Sequence, residues 1–242
     1  MDKQFEIWME EGLEGEISLS ERQLNQFYLY YELLIKWNEV MNLTAITEMN
    51  QVVTKHFIDS LSLIKIVDNL ASTGFSIIDI GTGAGFPGIP LKIAFPNIKI
   101  TLLDSLNKRV RFLDEVIGKL NLEDIETVHG RAEDLGRDKK YRESFDLCVS
   151  RAVANLSTLI EYCLPFVKKD GLFISYKSGK IEEELSQAKT ALKILGGEIM
   201  NTITFQLPRA DGERCLIKIK KMRNTSNKYP RKSGLPGKEP LR

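Results

Sequence analysis

Metal-ligating side chains are scarce in this chain. His56 and His129 are its only histidines, and its three cysteines, Cys148, Cys163 and Cys215, are odd in number and widely spaced. They give neither a disulfide framework nor a paired-cysteine knuckle, so no metal is expected. Long apolar runs are missing too: none approaches the roughly 18 residues that a membrane-spanning helix needs. The acidic start, Met1 to Glu16, does not have the basic-then-apolar order of a secretory leader, and a cytoplasmic location with no membrane partner is the expectation. Composition is not skewed either. A hydrophobic share of 43% and a charged share of 28% over 242 residues are ordinary globular values. They exclude a fibrous or wholly disordered chain and accommodate one α/β domain with a modest extension.

What is present first is a charge asymmetry. The net charge is +1, yet Lys221, Arg223, Lys228, Arg231, Lys232, Lys238 and Arg242 crowd the last stretch against Glu239 alone. The preceding body is therefore mildly acidic and the end is a basic arm. A polyanionic partner fits that layout; a solubilising tail is the plainer alternative.

Periodicity divides the chain. Ser20 opens a helical segment in which Leu24, Phe27, Tyr28, Tyr31, Leu34, Ile35 and Trp37 recur every three or four residues. A second helical stretch, from about Gln51 to Asn69, places Val52, Val53, Phe57, Leu61, Ile64 and Ile66 similarly, so residues 1–73 read as an N-terminal helical cap. After Gly74 short apolar runs appear at Ser76 to Ile80, Ile98 to Leu103, Ile125 to Val128, Phe145 to Val149 and Leu172 to Tyr176. They alternate with helical segments at Gly88 to Ala94, Lys108 to Leu120, Asn155 to Val167 and Ile181 to Leu195, the pattern of a doubly wound parallel sheet. Glu198 to Gln206 and Arg214 to Lys220 follow with no helix between them and should pair antiparallel at the sheet edge. Residues 74–222 thus read as an α/β, Rossmann-like methyltransferase core, a mostly parallel twisted sheet with an antiparallel edge hairpin, and 223–242 as the basic arm of a single-domain protein. A NAD-binding domain would continue with a sixth parallel strand and a substrate domain, for which little chain remains.

The run Ile77-Ile78-Asp79-Ile80-Gly81-Thr82-Gly83-Ala84-Gly85 is a buried strand leaving into a glycine-rich turn, with a helix starting near Gly88. Gly81, Gly83 and Gly85 permit a sharp turn and the close approach of a nucleotide-like ligand. Gly83 to Gly88 also satisfies the GxGxxG dinucleotide pattern, which is weak by itself. Three features favour S-adenosylmethionine. Asp79 lies near the end of the strand, where an anion suits the methionine ammonium or orders the loop but gains nothing beside a pyrophosphate. Phe86 and Pro87 occupy the turn where a pyrophosphate wants free backbone N–H groups. Asp104 closes the second strand, placed for ribose hydroxyls, while Glu133 or Asp134 after the third suits the adenine amino group.

Acceptor chemistry in such folds is written after the fourth strand, here Cys148-Val149-Ser150-Arg151-Ala152-Val153-Ala154. The Asn-Pro-Pro-aromatic clamp of amino methylation is absent, and Cys148 lies inside a strand rather than on the Pro-Cys turn that cytosine carbon-5 chemistry requires. Few histidines are available as a general base. An acceptor with a free lone pair, such as guanine N-7, fits best: it needs orientation rather than deprotonation. Arg151 is placed to grip the cofactor carboxylate or a phosphate, and Arg131 and Lys177 to position substrate, unless all three are ordinary ion-paired charges. No catalytic base is assigned.

Asn42-Leu43-Thr44, His56-Phe57-Ile58-Asp59-Ser60-Leu61, Asp79 through Gly88, Arg131-Ala132-Glu133, Ser150-Arg151-Ala152 and the tail Tyr229 to Leu241 together resemble the bacterial RsmG family, also called GidB. The likeness runs from about Trp37 to the tail. It implies N-7 methylation of one guanine in 16S ribosomal RNA of the small subunit, using S-adenosylmethionine, by a mostly monomeric cytoplasmic enzyme whose loss alters streptomycin-class sensitivity. Carried over by motif, cofactor contacts fall on Gly81 and Phe86, on Asp104, Ser105 and Leu106, on Ala132 and Glu133, and on Arg151, with His56, Asp59 and Ser60 at the rim. On this reading the basic arm, through Lys228, Arg231 and Lys232, contacts rRNA, and its Pro and Gly content argues against a helix there. Two other classes compete: a dinucleotide-dependent oxidoreductase and a non-catalytic RNA-binding assembly factor.

Overall fold

The computed structural model describes residues 1–71, 74–152, 154–179 and 181–242; Val153 and residues 72 and 73, at the edge of the expected cap, lie outside them. Its sheet has strands β1 (Ser76–Ile80), β2 (Lys99–Asp104), β3 (Ile125–His129), β4 (Phe145–Ser150), β5 (Val167–Ser178), β6 (Gly197–Gln206) and β7 (Glu213–Lys221), in the order β3-β2-β1-β4-β5-β7-β6. The first five pair in parallel, and β7 runs antiparallel to both β5 and β6. Side-chain alternation sends Ile77, Leu147 and Val149 into one core and Ile78, Ile80 and Cys148 into the other. Strand order reverses between β1 and β4, and at such a switch point the loops at the carboxyl ends part to open a crevice.

The first core is covered by α1 (Lys3–Leu13), α2 (Glu21–Met41), α3 (Met49–Val52), α4 (Asp59–Leu61), α5 (Gly88–Ala94) and α6 (Asn107–Leu120). The second lies under α7 (Ala132–Leu135), α8 (Leu156–Cys163), α9 (Glu182–Gln187) and α10 (Lys189–Leu195). A last short helix, α11 (Leu235–Lys238), sits on α8, where Thr158 donates to the Pro236 carbonyl at 3.2 Å. Ser20 starts α2 with a full capping box: its hydroxyl receives the Gln23 N–H while the Gln23 carboxamide receives the Ser20 N–H. The Gln23 amide then reaches the Ile93 and Ala94 carbonyls at the end of α5, tying cap to core.

Several elements differ from the sequence reading. Helix α1 carries no clear periodic signal in the sequence, because its polar residues dilute a stripe of three buried positions, Phe5, Met9 and Leu13. The buried face of α2 runs through Tyr30 and Leu33 rather than Tyr28 and Tyr31, which are only half-buried. The stretch expected as one helix to Asn69 instead passes from α3 through a π-helical turn, Val53–Ile58, to α4 and a 3₁₀ turn, Ser62–Lys65. The helix expected to reach Val167 stops at Cys163, since Pro165 in the following 3₁₀ turn cannot continue it. The Ile181 to Leu195 segment splits into α9 and α10. The basic arm is not loose: Arg137 and Arg142 hold the Thr225, Lys228, Tyr229 and Pro230 carbonyls, and the tail contains α11 despite its Pro and Gly. Lys221, counted with its charges, is fully buried at the end of β7, donating to the Leu164 carbonyl at 2.6 Å and paired with Glu143.

Candidate active site

The glycine turn is built by internal hydrogen bonds. Asp79 is fully buried, and one of its carboxylate oxygens accepts the Thr82 hydroxyl at 2.7 Å and the Gly88 N–H at 2.9 Å. Burial pushes its pKa up to about 7, against the lowering effect of those two bonds. The first amide of α5 is therefore spent on a side chain of the protein itself, which leaves the helix start poorly suited to a pyrophosphate. Two glycines here are required by space: a Cβ on Gly88 would lie 2.3 Å from Leu102, and one on Gly85, at φ +95°, would lie 2.6 Å from Ile89 and 2.7 Å from the Tyr30 hydroxyl. That hydroxyl donates to the Ala84 carbonyl, so α2 fixes the turn from outside. Asp104 joins the turn to α6: it accepts the Gly83 and Leu106 N–H groups, each at 2.9 Å, and pairs with Arg109.

Beyond the carboxyl ends of β1 to β4 lies a cavity of about 380 Å³. Of the residues expected to hold a cofactor, Gly81, Ser105, Ala132 and Glu133 line it, together with Arg131, expected at the substrate. Asp79, Gly83, Gly85, Phe86, Asp104 and Leu106 do not. Asp104 and one oxygen of Asp79 order the loops behind the wall, the other Asp79 oxygen being buried without a hydrogen-bond partner, and Phe86 turns inward to the helical layer, 6% exposed. Leu106 is exposed outside, as the residue preceding α6. Leu159 and Tyr162 of α8 and Gly234 of the tail were missed and complete the wall. Only an adjacency of α8 to the crevice would have flagged the first two, and periodicity does not report adjacency.

A second cavity, about 560 Å³, adjoins the first; Ala152 and Ala154 line both. Its lining carries the cations Lys55, Arg151, Lys177 and Arg214 against Asp59 and Glu184. Arg151 is the centre of a knot. Its guanidinium donates to the Lys55 and His56 carbonyls at 3.1 and 3.4 Å and to Asp59 at 2.9 Å, and it lies over the Phe86 ring at 5.1 Å. The carbonyls are those of the π-helical turn, a distortion common at functional sites. Asp59 also pairs with Arg214 at 3.3 Å; burial raises its pKa, and the two guanidinium groups oppose that rise.

His56 stacks on Phe86, centroids 4.5 Å apart. Burial, then the Arg151 charge, lowers its pKa to about 3, so the ring is neutral. Its Nδ1 faces Arg151 at 3.0 Å, and because arginine only donates, the proton sits on Nε2, directed at the Thr44 hydroxyl 2.8 Å away. Ser60 is buried beneath, donating to the His56 carbonyl. Lys177 is not free either: it donates to the Ala154 carbonyl at 2.5 Å and pairs with Glu184 at 2.7 Å. Arg131 bonds the Ser233 hydroxyl at 2.7 Å. Cys148 is wholly buried in β4, and burial raises its thiol pKa, so it offers no nucleophile. Among the described residues no cluster of three or more His, Cys, Asp or Glu side chains could hold a metal ion, and no helix is long and apolar enough to cross a membrane.

A sheet of this order, its last pair antiparallel, with a glycine-turn cavity at the switch point, defines a Rossmann-like methyltransferase. Solved structures share the fold: TrmN from Thermus thermophilus has a TM-score of 0.52 at 14% identity, over 68% of this chain and 48% of that one. M. jannaschii TYW2 in complex with AdoMet has a TM-score of 0.52 at 15% identity, over 67% and 76%. Within that class, the sequence pattern of GidB, rRNA small subunit methyltransferase G, matches residues 23–216. Proteins called ribosomal RNA small subunit methyltransferase G are 56% identical in Lachnoclostridium phytofermentans, over 93% of this chain and 92% of that protein, and 51% identical in Alkaliphilus oremlandii, over 97% and 98%. The chain belongs to the rRNA small subunit methyltransferase G family.

Proposed function

We propose that this protein transfers a methyl group from S-adenosylmethionine to N-7 of a guanine in 16S ribosomal RNA of the small subunit, acting as a cytoplasmic monomer. The observation that carries the reading is the pair of cavities meeting at Ala152 and Ala154, one uncharged over most of its wall and one ringed by cations. The first fits a nucleoside. Gly81, at φ +71°, leaves space that a Cβ would fill to within 3.6 Å of Ala152; Leu159, Tyr162 and Ala132 offer apolar surface; Glu133 and Ser105 offer polar ends. Bound there, S-adenosylmethionine supplies an electrophilic methyl on its sulfonium. The second cavity suits a nucleotide, its cations meeting phosphate and its walls setting the base against the Ala152 turn.

No proton need be removed from N-7, and the two groups of the second cavity best suited to take one are engaged: both nitrogens of His56 are bonded, and the carboxylate of Asp59 is held by two arginines. The residues act by orientation, which is worth up to about 7–11 kcal/mol in well-aligned reactions. An oxidoreductase reading is weakened by Asp79 occupying the helix-start amide. Calorimetric titration with S-adenosylhomocysteine and with NAD tests the donor: binding of the first alone is expected, and binding of NAD alone would contradict the proposal.

A further inference from the structure

The tail, recognisable in the sequence by Tyr229 to Leu241, enters the donor cavity itself. Glu161, on α8, is 0% exposed, an expensive place for a carboxylate unless it is paired. Its partner is Arg231: the Arg231 backbone N–H donates to it at 2.7 Å and the guanidinium reaches both oxygens, at 2.7 Å for the shortest contact. The same guanidinium donates to the Glu239 carbonyl, pinning the tail on both sides of its turn. Between those points, the Gly234 N–H donates to Glu133 at 2.7 Å and Ser233 receives Arg131. Gly234 lies at φ +82° and lines the same cavity as Gly81. An rRNA-binding role for Arg231 does not fit, because its charge is met inside the protein.

We propose that residues 231–239 form a strap that completes the donor pocket, with Arg231 and Glu161 as positioning residues that hold Gly234 against Glu133 and Ser233 against Arg131, and so set the affinity for the nucleoside cofactor. The inference rests on reading this cavity as the donor pocket. Glu133 and Arg131 are long side chains lining that cavity, and the strap selects one orientation for each before a ligand arrives. Loss of the clasp frees both and opens the wall at Gly234.

The test is the affinity of the full chain for S-adenosylhomocysteine, titrated without RNA, for Arg231→Gln, Glu161→Gln and the double variant, with Lys36→Gln, exposed on α2 and outside both cavities, as the control. Each single variant should weaken binding about tenfold or more, the double variant should be little worse than either, and Lys36→Gln should bind as the unaltered protein does. Ser233→Ala, on the surface and carrying no packing role, separates pocket from stability and should weaken binding several-fold with an unchanged unfolding midpoint. Arg231 and Ser233 variants that bind within twofold of the unaltered protein would overturn the strap. Failure of the unaltered protein to bind any S-adenosyl compound would instead overturn the donor-pocket reading, and the strap's role with it.

Discussion

Two buried titratable groups, Asp79 and His56, respond oppositely to pH. Asp79 has its pKa raised to about 7, so its native state favours the protonated form; the stability this group contributes is full below about 3.8 and is lost as pH climbs toward 7. His56 has its pKa lowered from 6.5 to about 3, so its contribution is present above 6.5 and lost as pH falls toward 3. Asp79→Asn keeps an acceptor for Thr82 and Gly88 while removing the first titration. Relative to the unaltered protein the variant should gain more than about 1 kcal/mol between pH 5 and pH 8, one pKa unit being worth about 1.4 kcal/mol. Urea unfolding at the two pH values measures it, and a constant gap would contradict the assignment. At Gly85 the obstacle is space as well as positive φ. Gly85→Ala should cost about 2 kcal/mol or more, because Ile89 and the Tyr30 hydroxyl must both give way. An unfolding midpoint near that of the unaltered protein would refute this account of the turn.

At the scale of elements, the π-helical turn and the loop after β4 are one unit because Arg151 bridges them. Arg151→Lys keeps the charge but not the fork that reaches two carbonyls, His56 and Asp59 at once; a loss of about 3 kcal/mol is expected, as for breaking a buried pair, and methyl transfer should fall with it. Thermal unfolding and a transfer assay on the same preparation check both. Much of this scale was legible in the sequence. Strand β1 and helix α5 fall where Ile77 to Ile80 and the Pro87-Gly88 turn put them, since a buried strand and a glycine exit are local signals. Side-chain destinations were not legible. Phe86, Asp79 and Asp104 sit in strong motifs, but whether a motif residue faces a ligand or braces a loop depends on Tyr30 and Leu102, which come from distant segments. Thr44, His56 and Arg151 stand in separate strings of the sequence, and only the fold brings them to one knot.

For the whole molecule, the charge asymmetry survives in altered form. Lys221 and Arg231 are internal, whereas Lys228, Lys232, Lys238 and Arg242 remain exposed at one end of the chain. If the exposed set contacts rRNA phosphates, replacing Lys228 and Lys232 by Gln lowers the log–log salt slope of rRNA binding by about 0.7–0.9 for each lost contact. Filter binding over a salt series reads it, and an unchanged slope would assign the arm's charges to solubility alone. The tail's order was hidden from the sequence because its anchors, Glu161, Arg137 and Arg142, lie far away in the chain and give a Pro- and Gly-rich segment the hydrogen bonds it cannot make within itself.

The central claim, methyl transfer to guanine N-7 of small-subunit rRNA, is tested most directly by incubating the protein with tritiated-methyl S-adenosylmethionine and small ribosomal subunits from cells lacking it, then digesting the rRNA to nucleosides. The account predicts label in 7-methylguanosine and in no other nucleoside. Label elsewhere would contradict the acceptor atom, and no transfer despite tight binding of S-adenosylmethionine would mark the protein as a non-catalytic assembly factor.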